Sequence, residues 1–320
     1  MSSPAIESST KRKSITLLDG GISRELIRIK APFQQPEWSA YSLIHSPQSV
    51  QQIHEEFASA GADVLTTDSY ALVPFHIGEE RFKASGKELA DLSGRLAKAA
   101  ADKVGEQEGR TVRVAGSLPP VFGSYRPDLF DAGRVQDYLS VLVEGLAPHI
   151  DVWLGETLGL IAEAKAVVEA IRGTSKPLWI AFTIDDRHEK PGGKAVLRGG
   201  ESPVEAATWA VNAGVDSLLF NCSRPEYMLQ AVRDARQVVA QNGSDMQIGV
   251  YANAFVEQDD TYKANEGVSQ TREDLDARKY VEFVKMWIDE GATIIGGCCG
   301  IGCSHIRVIA EEIRSEPPKL

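Results

Sequence analysis

The sequence is poor in the features that mark several protein classes. Cysteine occurs four times in 320 residues, too sparse for the disulfide framework of a small secreted fold. No apolar stretch approaches the roughly 18 residues that a membrane-spanning helix requires. The polar first 13 residues hold no hydrophobic signal core. The chain is therefore expected to be cytoplasmic, with no membrane association. It also lacks a basic excess: 45 acidic residues against 34 Lys and Arg leave a net charge of −11. That argues against the positive footprint nucleic acid binding needs. The short run Lys11-Arg12-Lys13 reads as part of a solvated tail over residues 1–13. No Pro- or Ser-rich linker divides the rest, so 14–320 is expected to form one domain with a large core. No sequence feature fixes an oligomeric state.

What is present is a regular alternation. Short β-rich runs at 14–18, 63–67, 112–115, 151–154, 178–182, 216–220, 247–251 and 293–295 are separated by longer helical patterns. These lie at 46–59, 87–104, 135–146, 161–171, 203–213, 228–240, 275–289 and 304–313. Such alternation implies parallel strands joined by crossover helices. A weak internal repeat supports it: Ala60-Gly61-Ala62-Asp63-Val64, Ala213-Gly214-Val215-Asp216-Ser217 and Glu290-Gly291-Ala292-Thr293-Ile294 each follow a helical pattern and precede a strand. A glycine there ends the helix in the left-handed conformation. Eight units in this length fit an α/β fold of the (β/α)8 TIM-barrel type, in a single domain.

In such a barrel, active groups cluster at the carboxyl ends of the strands. Polar or sulfur-bearing residues follow all eight runs, among them Asp19-Gly20-Gly21, Thr66-Thr67-Asp68-Ser69-Tyr70, Gly155-Glu156-Thr157, Asn221-Cys222 and Gly296-Gly297-Cys298-Cys299-Gly300. Successive residues of a strand face opposite sides. Cys298 and Cys299 can therefore share one centre only if the flanking glycines let the chain turn. Three thiolates suit zinc and leave its fourth position open. Such a centre carries about −1 formal charge, so it suits a substrate thiol better than the activation of water. Against this stands the behaviour of buried cysteine as a small hydrophobe. Cys222 alone reads better that way, whereas the adjacent pair between glycines reads better as metal ligands. Cys303, at the start of the last helix, reads as inert.

Asp19 and Glu156 are two carboxylates at different strand ends. They suit an ammonium group, an acid/base couple or local helix capping. Backbone N–H groups at Gly20-Gly21 can hold a carboxylate, and the two together suggest an α-amino acid pocket. The polar stretch 255–272 is longer than a normal βα connection and reads equally as a solvated insertion or a lid.

Asp19-Gly20-Gly21, Gly155-Glu156-Thr157, Asn221-Cys222 and Gly296-Gly297-Cys298-Cys299-Gly300 together resemble the motifs of the zinc-dependent homocysteine S-methyltransferases. The resemblance runs from about residue 14 to 313. It implies a (β/α)8 barrel holding Zn2+ on Cys222, Cys298 and Cys299, with homocysteine sulfur in the fourth position as thiolate. It places the homocysteine amino group on Asp19 and Glu156, its carboxylate on Gly20-Gly21, and Ser69 near a position where the family often has a hydroxyl. The implied reaction is in-line attack of the thiolate on the methyl group of a small onium donor, giving methionine.

The sequence departs from the family pattern at 116–125, at Leu158-Gly159 and at 251–255, all on the donor side. Without cobalamin or folate modules or the extension of the betaine-dependent relatives, the expected donor is S-methylmethionine or S-adenosylmethionine, with betaine as an alternative. Tyr70, Phe122, Tyr125 and Tyr251 are available as aromatic faces for an onium group. Two other readings stand beside this one. One is a catalytically altered barrel that binds zinc and a thiol amino acid. The other is a metal-free hydrolase or aldolase using Asp19, Glu156 and a nucleophilic cysteine.

Overall fold

A computed structural model describes residues 14–187, 193–257, 265, 267 and 269–315. The expected tail 1–13 lies outside the described residues. The strands are β1 Thr16–Leu17, β2 Val64–Thr66, β3 Arg113–Leu118, β4 Val152–Leu158, β5 Leu178–Phe182, β6 Ser217–Asn221, β7 Gln247–Ala252 and β8 Ile294–Gly297. All neighbours pair in parallel, in the order β1-β8-β7-β6-β5-β4-β3-β2. A single bridge, Leu18 to Val64, joins the two ends of this order. Backbone bonds from Asp19 N to Val64 O (3.1 Å) and from Asp63 N to Leu17 O (2.7 Å) complete the closure. The fold is a (β/α)8 barrel.

The period-2 pattern of the strands sorts their side chains into two cores. Leu18, Val64, Val152, Leu154, Trp179, Leu219, Tyr251 and Ile294 fill the barrel interior. Their chain neighbours Leu17, Leu65, Trp153, Ile180, Phe220 and Ile295 point outward to the helices. All eight expected strands form. β3 and β4 run three and four residues past the expected ends, because pairing continues through Leu118–Gly155 and, beyond an irregularity, Leu158–Phe182.

The eight expected helical stretches also form. The second runs Glu79–Glu108, well beyond 87–104, between Gly78 and Gly109, both at positive φ. Helices Ile22–Arg28, Ser39–His45 and Pro74–Ile77 were not expected; they are only seven, seven and four residues long. Among the described residues, no helix is long and apolar enough to cross a membrane.

The helix-to-strand repeat has a structural role. Gly61, Gly214 and Gly291 all adopt positive φ. The aspartate that follows two of these glycines caps the strand before it: Asp63 Oδ2 accepts from Leu17 N (2.9 Å), and Asp216 Oδ2 from Leu178 N (2.8 Å). Asp151, before β4, accepts likewise from Val114 N (2.8 Å). These carboxylates satisfy strand N–H groups at the amino end of the barrel. Asp216→Ala should cost about 1 kcal/mol, the low end for a charged hydrogen bond at an exposed site. That corresponds to a Tm loss of about 2 °C in a chain this size. Thermal unfolding checks the loss.

Candidate active site

The alternation that builds the barrel also delivers part of the site. Leu154, Tyr251 and Ile294 face inward, so their strands send Glu156 and Cys298 to the same side. Cys222 follows from the opposite rule. With Leu219 inward, a straight β6 would turn position 222 outward. Cys222 instead adopts φ 50°, in the left-handed region that non-glycine residues rarely occupy. Thr157 does the same at φ 58°.

One side chain ties the two together. Asn221 Oδ1 accepts from Thr157 N (3.0 Å) and its Nδ2 donates to Thr157 Oγ1 (2.9 Å), both fully buried. The amide thus offsets the strained conformation of Thr157 and ties it to the residue that precedes Cys222. Cys299 is brought round by a turn in which Ile301 N donates to Cys298 O (3.0 Å), with Gly300 at φ 83°. That is the positive φ a type II turn needs at its third position.

The result is a cluster of three sulfurs. Cys222 Sγ lies 2.9 Å from Cys298 Sγ and 3.9 Å from Cys299 Sγ. The three lie within 4.8 Å of one another, with no carboxylate or imidazole in the group. Tyr125 donates its hydroxyl to Cys222 Sγ (2.9 Å). A tetrahedral ion at about 2.3 Å from each sulfur spaces them at about 3.8 Å, so the cluster needs small adjustments to take one. The donor set is all soft sulfur, which fits zinc among the common divalent ions. Hydrogen bonds with Cys298, then Cys299, pull the Cys222 thiol well below its ordinary pKa, while burial and charge keep Tyr125 protonated. Cys303 stands apart, beside Glu25 and Glu56. Burial and the neighbouring Glu25 raise its thiol pKa.

The three sulfurs line a cavity of about 170 Å³ that also touches Asp19, Gly20, Gly21, Glu156, Tyr70, Tyr125 and Tyr251. Asp19 accepts from Thr66 N (2.7 Å) and Thr66 Oγ1 (2.9 Å). Glu156 accepts from Ser117 Oγ (2.5 Å) and Tyr251 Oη (3.1 Å). Burial pushes both carboxyls up to about 7, against the pull of these hydrogen bonds. Glu156 raises Asp19 further, and Cys222 raises Glu156. Two such groups in one cavity are unfavourable as anions until a cation joins them.

Of the other expected binding residues, Gly20 and Gly21 line the cavity and Ser69 does not. Gly20 and Gly21 are required by close approach: a Cβ would lie 2.1 Å from Ile301 O at Gly20 and 2.6 Å from Cys298 O at Gly21. The Gly21 N–H already donates to Ile301 O (2.9 Å). Ser69 is fully buried and is not among the residues lining the cavity; its hydroxyl donates to Ser117 O (2.8 Å) and meets Thr67 Oγ1 (2.8 Å). Phe122 packs on Phe130 and Tyr138 instead of lining the cavity.

Sequence reasoning missed Trp38, Asp68, His76 and Arg24, which do line it. Asp68 was visible only as one polar residue in the string after β2, and the others lie in loops or short helices. Of the stretch 255–272, residues 258–264, 266 and 268 lie outside the described residues. Its base is pinched by a bridge between Phe255 and Thr271, and Asn265 accepts from Trp38 Nε1 (2.8 Å).

Because each buried carboxyl titrates higher in the fold than in the unfolded chain, the folded state holds extra protons between about pH 4 and 7. Stability then falls as pH rises through that window. Asp19→Asn and Glu156→Gln should each raise the Tm of the ligand-free protein by a few °C at pH 8. The gain should vanish near pH 4, and scanning calorimetry at the two pH values checks it.

The chain has extensive similarity to known proteins. A family model described as Homocysteine S-methyltransferase matches residues 16–313. Homocysteine S-methyltransferase 1 of Brassica oleracea var. italica is 28% identical, over 93% of each chain. Homocysteine S-methyltransferase YbgG of Bacillus subtilis is 25% identical, covering 94% of this chain and 95% of its own. Among solved structures, the metallated form of the homocysteine methyltransferase MmuM from Escherichia coli superposes with a TM-score of 0.76 at 24% identity. It covers 94% of this chain and 97% of its own, a likeness that bears on the fold.

Proposed function

This chain belongs to the homocysteine S-methyltransferase family, and we propose that it moves a methyl group from a small sulfonium donor to homocysteine at a zinc site formed by Cys222, Cys298 and Cys299. The observation that carries the reading is the meeting of three sulfurs from β6 and β8 on the cavity that also holds Asp19 and Glu156. Zinc bound there would supply a lowered pKa for a thiol placed beside it, so that homocysteine reacts as thiolate at neutral pH.

The chain's own residues do the rest. Asp19 and Glu156 take the homocysteine ammonium, whose charge compensates their burial. Thr66, Ser117 and Tyr251 fix the directions of the two carboxylates. Tyr125 holds Cys222 by its hydroxyl. Tyr70, Tyr125, Tyr251 and Trp38 give the cavity aromatic faces and exclude water from the onium group.

The homocysteine thiol proton leaves to solvent. The sulfur lone pair forms a bond to the methyl carbon. The donor's carbon–sulfur bond breaks with its electron pair kept on the donor sulfur, which departs as a neutral thioether. No general acid is needed, so the enzyme's contribution is thiolate formation and alignment. S-methylmethionine is the first-choice donor and S-adenosylmethionine the second. Free thiols at the site suit a reducing cytoplasm.

A donor panel with zinc-loaded protein and homocysteine, following methionine, tests the reading. Turnover with a sulfonium donor supports it, and zinc and homocysteine binding without product from any donor contradicts it. Cys298→Ala should abolish zinc retention and lower kcat at least about 1,000-fold, since ligand and thiolate activation are lost together. Cys303→Ser should leave both unchanged. Zinc analysis and methionine assay check the pair; full zinc in Cys298→Ala would refute the ligand assignment.

A further inference from the structure

The cavity contains a third buried carboxylate that the homocysteine reading does not use. Asp68 follows β2 and is 2% exposed. It lines the same cavity as the three cysteines, and among the described residues neither of its oxygens meets a donor at full hydrogen-bond geometry, Ser39 alone lying near enough to favour its anion. Burial pushes its carboxyl up to about 7 against a hydrogen bond from the Ser39 hydroxyl, and among the described residues no cation holds it ionised. His76, also on the cavity, is kept neutral by burial at about 4. Arg24, the lining guanidinium, donates to Ser269 O. A buried carboxylate met by no more than one hydroxyl costs stability. A ligand carrying an ammonium group would satisfy it.

The reaction itself says which cation that is. A thiolate and an onium group cancel their charges as the methyl moves. A carboxylate touching the onium would stabilise the ground state more than the transition state and slow transfer. An ammonium elsewhere on the donor keeps its charge throughout, so a contact to it binds both states equally. Asp19 and Glu156 already supply two carboxylates for one ammonium, which leaves Asp68 for the other substrate.

We propose that Asp68 is the donor-selecting residue of this enzyme, binding the α-ammonium of an amino-acid sulfonium donor. The inference rests on the methyltransferase reading above. It names donors such as S-methylmethionine, with a protonated amine, and excludes amino-free onium compounds such as betaine as preferred substrates.

The test compares S-methylmethionine with its desamino analogue 4-dimethylsulfoniobutyrate, using the zinc-loaded enzyme. The wild-type KM should be about 10- to 100-fold lower for S-methylmethionine, the worth of one charge-assisted hydrogen bond, a measurement that needs no variant. Asp68→Asn should raise the KM for S-methylmethionine by a similar factor. It should leave kcat and the homocysteine KM within about threefold, because the lost contact is uniform binding. It should also erase the preference between the two donors. Calorimetric titration of S-methylmethionine into each protein without homocysteine should show the same loss of affinity without turnover.

Equal wild-type KM values for the two donors would overturn the proposal. So would a preference that survives Asp68→Asn, or a change in the homocysteine KM instead of the donor KM. Each of those outcomes leaves the methyltransferase reading standing. Absence of product from every onium donor would overturn both.

Discussion

A β-strand sends successive side chains to opposite faces, so no straight pair of strands can bring three sulfurs, two of them consecutive, to one point. The whole site depends on how the chain escapes that constraint. Cys298 arrives by ordinary alternation from β8. Cys299 arrives because the 298–301 turn reverses the chain at Gly300, φ 83°. Cys222 arrives because β6 ends in a left-handed residue, φ 50°. The amide of Asn221, the residue before it, reaches across to β4 and holds Thr157, the other left-handed position. The Glu-Thr and Asn-Cys motifs are therefore one mechanical unit. Glu156 is aimed into the cavity by the same strand end that braces the cysteine.

The electrostatics follow the same logic of local cost for chemical use. Asp19, Glu156 and Asp68 are buried carboxyls raised to about 7, in a chain that is already strongly acidic. Among the described residues, none is paired with a fixed cation. A cavity built for stability would have apolar or neutral residues there. One built to take two substrates that each carry an ammonium keeps the carboxylates and lets the ligands complete them. On the proposed reading, the cation-deficient wall and the sulfur-rich floor serve the two substrates of one methyl transfer.

Much of this was legible in the sequence, for physical reasons. Eight β-rich runs and the glycine–aspartate connectors gave the barrel, because period-2 patterning and left-handed helix ends are local properties. The connectors proved to be strand caps, as at Asp63 and Asp216. The convergence of Cys222 with Cys298 and Cys299 was legible from strand ends plus glycines, although Cys222 by itself read as a small core residue. The sequence could not show that Gly21 donates its N–H to Ile301 or that Ser69 faces away from the cavity, since both depend on how neighbouring loops stack. Asp68 lay in plain view beside Ser69. Its meaning lies in its burial on the cavity wall with, among the described residues, only the Ser39 hydroxyl to oppose that burial, which no sequence pattern shows.

The central claim is that three cysteines hold zinc with one position left for the substrate sulfur. X-ray absorption at the zinc edge of the loaded protein tests it most directly. The account predicts three sulfur ligands and one lighter atom before homocysteine is added, and four sulfurs afterwards. A sulfur count that does not change on addition, or a zinc ion without sulfur ligands, would contradict it.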